Sequence, residues 1–193
     1  MKVALIGFTK IKYMPYLVGY VQAEAPARLD LIYWDRDGTP DAEAPARIAH
    51  SYRFHDPMSD EQPMREKLLH FIKYRRFALN ILRSNHYDRL IILHSTPGLT
   101  ILDYLLRRYR DAYILDYRDI SHENLGFYRK LIAKLANGAA TVFVSSDAFR
   151  AYLPKTANIH TMHNLSPDAL EHREVRRAQG RERAVLRIRF WGM

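Results

Sequence analysis

Asp116-Tyr117-Arg118-Asp119 sets two carboxylates and a guanidinium across the end of an apolar run that begins at Tyr113. In a strand, successive side chains point to opposite faces, so Asp116 and Tyr117 face different ways. A carboxylate beside an arginine stays ionised, and one directed into a cleft can accept a proton from a hydroxyl nucleophile. The same residues can equally form an ion pair that fixes the loop. His94, His122, His160 and His163 raise the question of a metal, but no pair has HExxH spacing and they fall in different loops, so none is expected. Gly7-Phe8-Thr9-Lys10 occupies a strand-to-helix turn, where α/β domains often hold phosphate. One glycine is not a dinucleotide fingerprint and there is no GxxxxGK[ST] loop, which argues against an NAD enzyme or a P-loop nucleotidase. Lys10 and Lys12 either meet an anion there or are solvated. Ser145-Ser146-Asp147 reads first as a helix cap, His163-Asn164 as polar groups lining a cleft or capping a turn, and no G-x-S-x-G elbow supports a Ser-His-Asp hydrolase.

The elements that must position these residues alternate along the chain. Val3 to Phe8 is a nearly continuous apolar run, the pattern of a strand buried on both faces of a parallel sheet. Tyr16, Leu17, Tyr20 and Val21 recur at helical spacing before Pro26, and a second strand, Leu29 to Trp34, ends in the turn cluster Asp35-Arg36-Asp37-Gly38. From Pro40 to Pro63 the chain reads as loop apart from a short strand at Ser51 to Phe54. Met64 to Ser84 is the longest helical pattern, with Leu68, Phe71, Tyr74, Ala78, Ile81 and Leu82 on one side and Arg65, Lys73, Arg76 and Arg83 on the other.

Leu90 to Leu93 is the next strand, and His94-Ser95-Thr96-Pro97-Gly98 reads as the loop at its carboxyl end. Leu99, Leu102, Leu105, Leu106 and Tyr109 predict one helix carrying an Asp103–Arg107 pair at i,i+4. Tyr113 to Tyr117 is a strand and 118–124 a loop; Phe127, Leu131 and Leu135 mark a helix that Asn137-Gly138 ends; Ala140 to Val144 is another strand. A helix over Ala148 to Leu153, stopped by Pro154, and a strand from Asn158 to Met162 complete the series. Parallel neighbours need crossover connections, and the crossovers here are helices. The fold expected is therefore α/β, a doubly wound, mostly parallel sheet with helices on both faces, whose ligands sit beyond the carboxyl ends of the strands.

Composition agrees with a folded domain: of 193 residues, 48% are hydrophobic and 26% charged, and there is no cysteine to supply a disulfide, a thiolate zinc site or a nucleophile. A net charge of +9 points to an anionic partner or to a solubilising surface. No run approaches the roughly 20 apolar residues of a spanning helix, and MKVALIGF continues into polar sequence without a signal-peptide cleavage site, so a cytoplasmic location is the default. Residues 1–165 make the main domain. A basic connector follows over 166–184, and 171–189 holds seven Arg against three Glu. Residues 185–193, VLRIRFWGM after Ala184, look like the first strand of a further domain.

Taken in order, ILDYRDI, TVFVSSDAFRAYLP and HTMHNLSPD resemble the amino-terminal half of GT-B glycosyltransferases of the kind that build bacterial surface polysaccharides. The matching positions are Arg118-Asp119, Ser145-Ser146, Leu153-Pro154 and His163-Asn164, although the chain departs from relatives with a glycine-pair loop after the first strand. The resemblance implies a Rossmann-like acceptor-side domain that works with a donor-binding domain not contained in this chain. The joined enzyme would move a sugar from a nucleotide sugar, its substrate, to a hydroxyl on a glycan or lipid-linked acceptor, with no cofactor or metal in this chain; the fragment alone would be inactive. On that basis Asp119 is expected as acceptor-side base or orienter. Gly7, Lys10, His94, Ser95, Thr96, Arg118, Glu123, Asn124, Ser145 and Ser146 are expected around the acceptor, and His163 and Asn164 at the domain junction. Where acceptors ride on lipids, Arg65, Lys73, Arg76 and Arg83 would rest on anionic headgroups at the inner face of the plasma membrane. The alternative is a non-catalytic α/β binding or regulatory domain whose basic face takes nucleic acid or another anion. No RNA-recognition or helix-turn-helix signature favours nucleic acid.

Overall fold

The computed structural model describes residues 1–24, 27–59 and 61–162. Within these the chain runs β1 (Lys2–Gly7), α1 (Leu17–Ala23), β2 (Arg28–Asp35), β3 (Ile48–His55), α2 (Met64–Ser84), β4 (Arg89–Leu93), α3 (Ser95–Thr100), α4 (Leu102–Arg108), β5 (Tyr113–Tyr117), α5 (Gly126–Asn137), β6 (Thr141–Val144) and β7 (Ile159–Thr161). The strands form one parallel sheet in the order β3-β2-β1-β4-β5-β6-β7. β1 is apolar throughout because both of its faces are covered. Ala4 and Ile6 join Ile32 and Trp34 in a core with Tyr74 and Leu82 of α2, Leu105 of α4 and Leu135 of α5. Val3 and Leu5 join Leu29 and Leu31 on the other face, under Leu17, Tyr20 and Val21 of α1. The doubly wound α/β fold expected from the sequence is the fold observed. Among the described residues no helix is long and apolar enough to cross a membrane.

Several local expectations are corrected. The region read as loop contains an eight-residue edge strand, Ile48–His55, twice the length expected. Being an edge, β3 buries one face only, through Tyr52 and Phe54, and so lacks the continuous apolar signature of its neighbours. His94 to Gly98 is not a loop: α3 starts at Ser95, and Gly98 lets it press close, since a Cβ there would stand 2.9 Å from Leu135 Cδ2 and 3.1 Å from Ile92 Cγ2. The single helix expected over Leu99 to Tyr109 is broken at buried Ile101 (φ −118°, ψ 20°). The segment Asp147–Tyr152 is a 3-10 helix, not an α-helix. Leu68 is 56% exposed rather than in the core. The Tyr74 hydroxyl donates to the carbonyl of Gly7, the last residue of β1, at 2.6 Å. Met64 lies ten residues before it, about 15 Å along the helix, so the first turns of α2 overhang the carboxyl rim of the sheet and leave Met64, Leu68 and Leu69 uncovered.

Chain order and sheet order together place the functional crevice. From β1 the chain builds outward through β2 to β3; α2 then carries it back, and β4 pairs on the other side of β1. The segments leaving β1 and β4 diverge at this switch point, which opens a crevice beyond the strand ends.

At the outer edge, β2 and β3 are locked together by one carboxylate. Asp35 is fully buried and accepts from Arg53 Nε at 2.9 Å, His55 Nδ1 at 3.0 Å and the Gly38 N–H at 3.0 Å, with Lys10 Nζ 3.2 Å away. Burial works to raise the Asp35 pKa, but Arg53, the Gly38 N–H and Lys10 outweigh it and hold the carboxyl well below its ordinary range. A lowered carboxyl stabilises the fold above its unfolded pKa of about 3.9 and ceases to do so as pH falls through the folded value. Asp35→Asn is therefore expected to cost about 3 kcal/mol in urea unfolding at pH 7. The gap to wild type should narrow below pH 4, and a gap that stays constant down to pH 2 would contradict this account.

Candidate functional site

A cavity of about 810 Å³ lies at the switch point, lined from the β1 side by Phe8, Thr9, Lys12, Tyr13, Pro15 and Tyr16 and from the β4 side by Leu93, His94 and Thr96. Arg36, after β2, and Arg118 and Asp119, after β5, complete the wall. The register explains why distant residues meet here. Gly7 pairs with Leu93, and Leu93 pairs with Asp116, so the residues just past three strands fall at one level. The His94 N–H extends that ladder by donating to the Asp116 carbonyl at 3.0 Å.

His94 is held in a backbone conformation that side chains rarely adopt, φ 108° and ψ 152°. Its Nδ1 accepts the Thr96 N–H at 3.2 Å and caps α3. That fixes the tautomer: the neutral ring carries its proton on Nε2, which lies 3.5 Å from Asp119 Oδ2. His94 beside it holds the Asp119 carboxyl below the ordinary carboxylate range, over an opposing effect of burial. Asp119 is thus ionised at neutral pH and 74% exposed, free to accept a hydroxyl proton or to orient a hydroxyl by a hydrogen bond.

Behind this pair stands a second one. Asp116 is fully buried and accepts from Arg118 Nε at 2.6 Å. Burial pushes its carboxyl up to about 6, with Arg118 pulling the other way. Arg118 is itself only 4% exposed, and its guanidinium carbon sits 4.0 Å from the centre of the Tyr16 ring, a cation–π contact across the cavity floor.

Of the residues singled out in the sequence, Lys12, His94, Thr96, Arg118 and Asp119 line the cavity. The others are placed elsewhere by identifiable contacts. Gly7 packs on Met14, whose Sδ would lie 2.7 Å from an added Cβ. Lys10 is buried among Asp35, Asp37 and Thr39. Ser95 is buried at the start of α3. Glu123 is turned inward, accepting from the Tyr117 hydroxyl at 2.6 Å and the Ser121 N–H at 2.5 Å, so it shapes the 118–124 loop from beneath; Asn124 is exposed. Ser145 supports the same loop by donating to the Arg118 carbonyl at 3.2 Å, and Ser146 caps the following 3-10 turn through the Ala148 N–H. Arg65, Lys73, Arg76 and Arg83 are exposed along α2. His163, Asn164, the basic connector and the segment 185–193 lie outside the described residues. Among the described residues no group of three His, Asp or Glu side chains is arranged to hold a metal ion.

Sequence reasoning overlooked the aromatic side of the site. Tyr13, Pro15 and Tyr16 fill the turn after β1, although Tyr16 shares the helical spacing of Leu17, Tyr20 and Val21. The usable signal was their position: bulky rings between a strand end and a helix start leave little room for phosphate at the backbone.

Comparison with known proteins agrees with this geometry at the level of the fold. The chain is similar in structure to a sucrose-phosphate synthase from Thermosynechococcus elongatus, with a TM-score of 0.61, 15% sequence identity, and coverage of 89% of this chain and 94% of that one. No family model matches the sequence, and no curated protein matches it.

The backbone at His94 gives a direct test of the site's strain. His94→Gly and His94→Ala both delete the imidazole, but only glycine is at ease at this φ and ψ. His94→Gly is expected to be more stable than His94→Ala by about 1 kcal/mol in urea unfolding. Equal stabilities would show that the conformation carries no strain.

Proposed function

We propose that this chain is the acceptor-side domain of a GT-B glycosyltransferase, which transfers a sugar from a nucleotide-sugar donor to a hydroxyl acceptor seated in the cavity between the ends of β1 and β4. The observation that carries the reading is Asp119, ionised and exposed at the cavity wall, with the His94 Nε2 3.5 Å from its Oδ2. Sugar transfer requires an alcohol held in line with an anomeric carbon and a group that takes or orients its proton. Asp119 meets the second need, and the aromatic wall of Phe8, Tyr13 and Tyr16 offers apolar surface for the acceptor to rest on. The likeness of the fold to a sucrose-phosphate synthase, itself a GT-B glycosyltransferase, supports the class. Bacterial surface polysaccharide or glycolipid assembly is the setting we favour, on the strength of the sequence motifs.

The test is release of nucleoside diphosphate from a panel of nucleotide sugars, using the protein made from its whole reading frame with hydroxyl acceptors present. Asp119→Asn is expected to lower the rate by about 100-fold with unchanged thermal stability. A rate unaffected by that substitution, or no turnover with any donor, would remove the proposal.

We place the acceptor at an anionic membrane surface on the cytoplasmic side. The overhanging start of α2 exposes Met64, Leu68, Leu69 and Ile72 among the exposed Arg65, Lys73 and Arg76, a combination that suits the boundary between headgroups and acyl chains. Each basic residue near such a surface contributes about 1 kcal/mol. Vesicles containing anionic lipid should be bound at least about tenfold more tightly than neutral ones, with the preference reduced in Arg65→Gln/Arg76→Gln. Equal binding to both vesicle types would overturn it.

A further inference from the structure

We infer that the cavity contains an oxyanion subsite built on Arg118, so that the substrate entering it carries a phosphate monoester or a carboxylate. The inference rests on the proposed acceptor role of the cavity and adds to it the charge of the acceptor.

Three observations lead to it. First, Arg118 lines the cavity yet is only 4% exposed, so its charge has been taken out of water. Secondly, its guanidinium is only partly used. Nε binds Asp116 at 2.6 Å, Tyr16 stacks 4.0 Å from the guanidinium carbon and the buried Tyr20 hydroxyl lies close to the group, but neither terminal nitrogen makes a well-formed hydrogen bond among the described residues. Those two nitrogens carry four of the five N–H donors of the side chain. A buried donor left without an acceptor is costly, and in a stable protein such groups are few and call for a cause. Thirdly, the cavity wall also carries Arg36 and Lys12, whose Nζ donates to Thr39 Oγ1 and the Pro40 carbonyl, and Asp119 is the one carboxylate in that lining. The Arg36 guanidinium is itself laid against the Phe8 ring, its carbon 5.4 Å from the centroid.

The chemistry of the missing acceptor follows from the shape of the donor. Two terminal nitrogens of a planar guanidinium match two oxygens of a carboxylate or phosphate, and the paired bonds are stronger and more directional than bonds to neutral groups. A sugar hydroxyl brings no charge, and its single oxygen cannot take both terminal nitrogens in two parallel bonds. The Asp116–Nε bond and the Tyr16 ring hold the guanidinium plane in place before any ligand arrives, which lowers the ordering cost of binding.

Titration calorimetry of the whole chain with inorganic phosphate, glucose 6-phosphate, glucuronate and glucose tests the subsite. Saturable binding is expected for phosphate and at least one charged sugar, more than tenfold tighter than for glucose. Preference for glucose 6-phosphate identifies a phosphate monoester as the natural group, and preference for glucuronate a carboxylate. Arg118→Gln strands Asp116, so the informative variant is Arg118→Gln/Asp116→Asn, which removes both buried charges together and keeps the shape of the Asp116 side chain. In that variant anion binding is expected to fall more than tenfold while the unfolding transition stays cooperative. Binding that is equal in wild type and double variant, or no saturable anion binding in wild type, would overturn the subsite. Its failure is separable from that of the transferase reading. Sugar transfer in a protein that shows no saturable anion binding, or binds anions equally in wild type and double variant, removes the subsite alone; anion binding lost in the double variant, in a protein that turns over no nucleotide sugar, removes the transferase reading alone.

Discussion

The structure depends on a constraint that belongs to parallel sheets: each neighbour must be reached by a crossover, and a chain that starts in the middle of its sheet must reverse direction once. Here the reversal falls between β3 and β4, carried by α2. Because β1 and β4 are adjacent but their onward connections part, a cavity opens between Phe8 and His94. The pairing of Leu93 with Asp116 then fixes which residues of β5 arrive at that gap. Arg118 and Asp119 owe their positions to this register, and His94 is tied to it by its own N–H on the Asp116 carbonyl.

Two buried carboxylates, on either side of β1, show how differently one residue type can be used. Asp35 accepts from guanidinium, imidazole and backbone N–H, all supplied by the chain itself, and its pKa falls. Asp116 has one cationic partner and a pKa raised to about 6. The first cluster is closed and mainly structural. The second is open: a stressed carboxylate, an arginine with idle donors and a histidine at positive φ occur within a few residues of one another. Local rules of polar satisfaction and backbone comfort hold across most of the sheet and lapse together at this place, the pattern expected where a structure is shaped for a ligand rather than for stability alone.

Much of this was legible in the chain. The apolar runs of β1 and β4, and that of β5 as far as Leu115, mark buried parallel strands, and Met64 to Ser84 is delimited to the residue because Pro63 precedes the helix and its apolar spacing persists for six turns. Arg118-Asp119 and Ser145-Ser146 likewise follow directly on β5 and β6, at the carboxyl rim. What escaped was whatever depends on contacts between distant segments. β3 has a one-sided pattern because its outer face meets solvent. α3 forms in a Ser-Thr-Pro-Gly stretch of poor intrinsic propensity because Gly98 admits Leu135 and Ile92 at close range and His94 caps its start. Lys10 looked like an anion ligand by position, but its partners Asp35 and Asp37 come from a strand end that only the fold brings near.

The same comparison explains why this sheet order does not imply a dinucleotide site. In dinucleotide-binding domains of this strand order an acidic residue near the end of the second strand faces outward to a ribose, and spaced glycines after the first strand admit a pyrophosphate. The chain keeps an acid at the end of β2, yet Asp35 is fully buried and its oxygens are taken by Arg53, His55 and Gly38. The turn after β1 is filled by Tyr13, Pro15 and Tyr16 instead of glycines. With Asp35 sealed and the β1 turn bulky, the polar groups delivered by β4 and β5 join Lys12 and Arg36 on the cavity wall. The crevice common to the fold is thereby shifted, in its chemistry, from the nucleotide side of β1 to the side where His94, Arg118 and Asp119 converge.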